Sequence, residues 1–109
     1  MGITKSQLFT AEQNDLATIA KAFAHPAKIA VLQYLLKTNT CINSHLVEEI
    51  GLAQPTISRH LKDLKEAGLI QGTIEGTSMC YCINPVRWKE VKSLFNELFD
   101  KLPQPNCCN

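Results

Sequence analysis

Apolar residues recur at spacings of three and four along most of this chain, the period of helices with one buried side. Leu16, Ile19, Ala20 and Phe23 mark the first run, and Thr10 with Gln13 ahead of it fits a capping box. His25-Pro26 interrupts that run and restarts it, with Pro26 at the first position of a second helix whose apolar face is Ile29, Leu32, Leu35 and Leu36. After a connector at residues 37–40, a short third helix is predicted from Asn43 or Ser44 to Gly51, with Leu46, Val47 and Ile50 inward. Gln54-Pro55 opens a fourth helix, in which Ile57, Leu61 and Leu64 repeat at i, i+4, i+7 until Gly68 stops it.

The pattern then changes. Leu69-Ile70 begins an extended stretch punctuated by Gly72 and Gly76, and the run from Met79 to Ile83 reads as the returning strand. Asn84-Pro85 caps a last helix with Trp88, Val91, Phe95, Leu98 and Phe99 on one stripe, and Pro103 and Pro105 keep the end extended. The expected class is α+β and mainly helical: four helices, a β-hairpin and a C-terminal helix. Residues 44–67 have helix-turn-helix proportions, and a hairpin directly after them makes a winged helix-turn-helix. Residues 1–9 are expected as a flexible arm, 10–102 as one DNA-binding and dimerisation domain, and 103–109 as an extended tail with cysteines.

Composition narrows the function classes. A chain of 109 residues has room for one core, and 45% hydrophobic with 19% charged residues is a globular balance. Eleven basic against ten acidic residues give +1, which excludes a uniformly basic clamp while leaving room for a local basic face. No apolar run approaches the ~20 residues of a membrane span. The first residues lack the apolar core of a secretory signal, so a cytoplasmic protein is expected. Five cysteines, an odd number, favour thiol chemistry over a disulfide scaffold. The three histidines show no pairing of base with nucleophile, and no Cys-x-x-Cys accompanies a βαβ pattern, so an enzyme is not expected.

The polar side of residues 55–66 carries Thr56, Ser58, Arg59, Lys62 and Asp63. Short hydrogen-bonding groups near a helix N-terminus, followed by cations, suit a helix lying in the major groove. A solvated surface helix shows a similar division, so the pattern alone leaves both open. The run from Ala53 to Ile70, with Ser58-Arg59-His60-Leu61 at its centre and Ala67-Gly68-Leu69 at its exit, resembles the helix-turn-helix of the ArsR/SmtB repressors. So does Ala24-His25-Pro26 leading into the second helix. The likeness extends over about residues 11–99. It implies a homodimer on double-stranded operator DNA, with no membrane partner, the first and last helices at the interface, and an effector that releases DNA. Carried over, Gln54, Thr56, Ser58 and Arg59 read DNA, Lys62 joins them from the polar face, and Leu16, Ile19, Phe23, Trp88, Val91, Phe95, Leu98 and Phe99 meet the partner or divide between partner and core. His60 either packs or faces the groove. The wing tip, residues 73–78, departs from the family by lacking cations and carrying Glu75, and is expected to add little affinity.

The effector has to be argued from ligands. Residues 85–102 contain no histidine, which speaks against the zinc site some relatives carry on the last helix. Arsenic-responsive relatives carry Cys-x-Cys before the recognition helix; here Cys41 is present but Asn43 takes the second place. The vicinal pair Cys107-Cys108 supplies two soft ligands, and Cys41 a third, for As(III), Sb(III) or a soft metal ion. DNA binding itself requires no cofactor. Cys80 and Cys82, two apart on a strand, share a face and are expected as ordinary buried strand residues. The expected function is a DNA-binding repressor released by a thiophilic effector. The alternatives are a repressor sensing oxidants or reactive sulfur through Cys41 and the tail cysteines, and a winged helix used only for protein contacts.

Overall fold

The computed structural model describes residues 5–38, 50–75 and 78–103. A 3-10 turn, Lys5–Leu8, stands where a loose arm was expected. Helix α1, Ala11–Ala22, starts with the anticipated capping box: Gln13 N–H donates to Thr10 Oγ1 at 3.0 Å and Thr10 N–H donates to Gln13 Oε1 at 2.9 Å. Helix α2, Pro26–Lys37, has His25 as its cap, with Ala27 N–H donating to His25 Nδ1 at 3.0 Å. The predicted short third helix lies outside the described residues except at its end. There Ile50 is helical and Gly51 takes φ +80°, a left-handed turn suited to glycine.

Helix α3, Gln54–Glu66, ends in a Schellman arrangement. Gly68 at φ +81° lets its own N–H reach Lys65 C=O at 2.9 Å and Leu69 N–H reach Leu64 C=O at 3.1 Å. Strand β1, Ile70–Glu75, pairs antiparallel with β2, Ser78–Ile83, from Ile70 opposite Ile83 to Glu75 opposite Ser78. Helix α4, Pro85–Phe99, is capped by Asn84, whose Oδ1 accepts from Arg87 N–H at 3.3 Å. Apart from the third helix, which falls outside the described residues, this is the winged helix-turn-helix order expected from the sequence.

One core joins these elements: Ile19 and Ala22 of α1, Val31, Leu32 and Leu35 of α2, Ile57, Leu61 and Leu64 of α3, then Leu69, Ile70, Tyr81 and Val91. The face of α2 keeps Leu32 and Leu35 inward as expected but differs from the expected one in its other members. Ala27, Val31 and Leu35 form the inward row, Ile29 is half-buried and Leu36 is 51% exposed. The reason is the helical row i, i+4, i+8 from Ala27, which turns Leu36 outward. Among the described residues no helix is long and apolar enough to cross a membrane.

Candidate nucleic-acid interface

Helix α3 is divided as its sequence predicts. Ile57, His60, Leu61 and Leu64 are buried, whereas Gln54, Thr56, Arg59 and Lys62 are exposed and Ser58 is half-buried. Ile57, Leu61 and Leu64 fasten the helix to the body, so its opposite side faces outward as a fixed unit. Asp63 is not part of that free side. It is half-buried and pairs with Lys28 of α2 at 3.1 Å. Lys65 is also engaged, its Nζ donating to Gly72 C=O of β1 at 2.7 Å. With Asp63 engaged by Lys28, Arg59 and Lys62 are the exposed cations on the outer side of the helix, and Glu66, also exposed, follows one turn after Lys62.

His60 packs. It stands three residues after Ile57, on the same stripe, and its ring lies 4.5 Å from that of His25. Both ring nitrogens lack a hydrogen-bond partner among the described residues. Burial, then the charges of His25 and Lys28, push its pKa below the usual histidine value, against an opposing pull from Asp63. It is therefore a structural group of the α2–α3 contact.

The residues expected at a subunit interface divide. Ile19 and Val91 belong to the chain's own core and are closed to a partner, a correction to their expected role. They sit where α1 and α4 face the other helices. Leu16, Phe23, Trp88 and Phe95 are half-buried, with Phe23 and Trp88 rings 6.2 Å apart. Leu98 and Phe99 are exposed at the end of α4.

The cysteines also depart from expectation where they are described. Tyr81 takes the inward position on β2, so Cys80 is exposed and Cys82 half-buried on the outer face. Cys80 is disulfide-bonded and Cys82 is a free thiol. Cys41, Cys107 and Cys108 lie outside the described residues. No group of three metal-ligating side chains occurs among the described residues.

Sequence reasoning missed one polar centre. Arg87 of α4 reaches Asp15 of α1 at 2.8 Å, Glu90 at 3.2 Å and the carbonyl of Ala67 at 3.4 Å. Asp15 is 72 residues away in the chain, and no local pattern links the two.

With the geometry in place, comparison with known proteins decides the family. Residues 25–71 match the family model described as bacterial regulatory protein, arsR family. An uncharacterized HTH-type transcriptional regulator of Methanocaldococcus jannaschii is 38% identical over 82 residues, covering 75% of this chain and 92% of that protein. The chain belongs to the ArsR family. An ArsR-family chain is a DNA-binding transcriptional regulator and not an enzyme, which settles the class of activity. The SmtB transcriptional repressor of Mycobacterium tuberculosis is 35% identical over 63 residues, 58% of this chain but only 46% of that repressor. An ArsR-like regulator from Rhodococcus sp. RHA1 shares the fold, with a TM-score of 0.69 at 16% identity over 84% of this chain and 86% of that one.

Proposed function

We propose that this ArsR-family protein is a cytoplasmic homodimeric repressor that reads operator DNA with Gln54, Thr56, Ser58, Arg59 and Lys62, and that a thiophilic effector releases it. The observation that carries the DNA-reading part is the outward placement of Thr56, Arg59 and Lys62 on a helix pinned by Ile57, Leu61 and Leu64. Short hydroxyl and amide groups at the N-terminal end reach base edges, and Arg59 and Lys62 reach guanine or phosphate. Two such helices about one DNA turn apart, roughly 34 Å, call for a near-palindromic operator. Leu98 and Phe99, exposed at the end of α4, and half-buried Leu16, Phe23, Trp88 and Phe95 supply apolar surface for the second subunit.

The effector follows from ligand chemistry. Cys107 and Cys108 are adjacent thiols and Cys41 is a third, a set that suits As(III) or Sb(III). Release then requires that the metalloid bind the DNA-free conformation more tightly than the DNA-bound one. The test is the DNA-bound fraction of reduced protein during titration with arsenite, in the wild type and in Cys107→Ser/Cys108→Ser. Arsenite releases the wild type and leaves the double variant bound; equal release of both removes the tail pair from sensing.

A second effector reading has one observation in its favour. Cys80 is disulfide-bonded, which supports a sensor of oxidants or reactive sulfur as the alternative. Release by a persulfide donor, and by no metalloid, selects it.

A further inference from the structure

Among the described residues, helix α3 is held at three places by polar side chains, and two of these are simple pairs: Lys28 with Asp63, and Lys65 with the Gly72 carbonyl. The third is of another kind. Arg87 leaves the first turn of α4, crosses the exit of α3 and ends on α1. Its Nε donates to Ala67 C=O at 3.4 Å, its Nη2 donates to Asp15 Oδ1 at 2.8 Å and its Nη1 donates to Glu90 Oε2 at 3.2 Å. Ala67 is the C-terminal cap of α3, where carbonyls have no partner inside the helix and the helix dipole is negative, so a cation there is doubly favoured. The guanidinium is rigid and planar, so its three acceptors are fixed relative to one another. Gly68 makes room for the crossing: a Cβ at that position would lie 3.3 Å from Arg87 Cγ.

The same side chain thus ties the end of the DNA-reading helix to α1 and α4, whose half-buried and exposed apolar residues are proposed above to meet the partner subunit. We propose that Arg87 is a positioning residue for DNA binding, fixing the tilt of α3 against α1 and α4 so that a change in the subunit contact reaches the reading face. This rests on α3 being the DNA-reading helix. Neither Coulomb attraction nor stability alone defines the role. A lysine keeps the charge near Asp15 and the compact α1–α4 contact, but one ammonium cannot present the planar fork that holds Ala67, Asp15 and Glu90 together.

The experiment compares the full chain with Arg87→Lys, Arg87→Met and Asp15→Asn, using a labelled duplex selected from a random-sequence library by the wild type. Thermal midpoint, duplex affinity and nuclear magnetic relaxation dispersion of the Leu64, Lys65, Gly68 and Leu69 amides are read on each. Arg87→Lys keeps the midpoint within a few degrees yet binds the duplex about tenfold more weakly, with an unchanged salt slope because the charge is kept. Its α3-exit amides show exchange without DNA, whereas those of the wild type are quiet. Asp15→Asn shifts both readouts the same way and adds no further loss to Arg87→Lys, as expected for one coupled unit. If Arg87→Met fails to fold, the lysine and asparagine variants carry the comparison. Wild-type affinity and quiet amides in Arg87→Lys and Asp15→Asn overturn the proposal, as does lysine restoring everything that methionine loses. If no duplex is selected, the reading of α3 falls, and the amide exchange still decides whether Arg87 positions the helix.

Discussion

His60 illustrates how a residue on the reading helix can serve only the interior. Its two ring nitrogens are buried with no hydrogen-bond partner among the described residues, and its ring packs on His25, with Lys28, Asp63 and Arg59 as the charged groups nearby. A histidine whose folded pKa is depressed makes stability fall on acidification. Above its unfolded value of 6.5 both states are neutral and this group adds no pH dependence; below 6.5 the unfolded chain takes up a proton that the folded chain resists. Urea midpoints are therefore expected to decline between pH 7.5 and pH 5.5 in the wild type and to decline less in His60→Phe; identical slopes would contradict the assignment. At the opposite side of the same helix, Arg59→Ala is expected to lower operator affinity by about 1–3 kcal/mol with an unchanged melting temperature, measured by fluorescence anisotropy. Lys62→Ala is expected to weaken binding to all duplexes and to reduce the salt slope by about one per subunit.

At the scale of elements, the ends of helices are set by single residues. Thr10→Ala removes the side-chain half of the capping box of α1 and is expected to cost ~1 kcal/mol by chemical denaturation. Gly72 is a stricter case. It has φ +145°, and a Cβ there would run into the carbonyl oxygen of Cys80 on the paired strand. Gly72→Ala is expected to disrupt the β1–β2 ladder, seen as lost amide protection across the hairpin, while α3 stays folded; an intact ladder would contradict the steric argument. These boundaries were readable in the sequence, because Thr10 with Gln13, Pro26, Pro55, Gly68 and Asn84-Pro85 are local signals for caps and stops. The apolar stripe of α3 was legible for the same reason. What escaped depends on contacts distant in sequence: Leu36 faces outward because Ala27, Val31 and Leu35 pack instead, Asp63 is taken by Lys28, and Arg87 meets Asp15 across the fold. Periodicity assigns a side to a helix only to within a neighbouring position, and it carries no information about which charge finds which.

For the whole molecule, the division between core and free surface decides what an ArsR-family chain of this size can do. Ile19 and Val91 serve the interior of one chain, whereas Leu98 and Phe99 at the end of α4 are among the exposed large apolar residues and are available to the proposed subunit contact. Phe99→Glu is expected to shift the chain toward monomer in sedimentation at micromolar concentration and to weaken DNA binding with it, since a dimer engages two half-sites. An unchanged dimer would move the contact elsewhere. The central claim, however, concerns which surface meets the duplex, and it is tested most directly by mapping amide chemical shifts of the full chain on addition of a selected duplex. The account predicts that the largest changes fall on Gln54, Thr56, Ser58, Arg59 and Lys62. Changes centred on α1 and α4 with those five residues unmoved would contradict it.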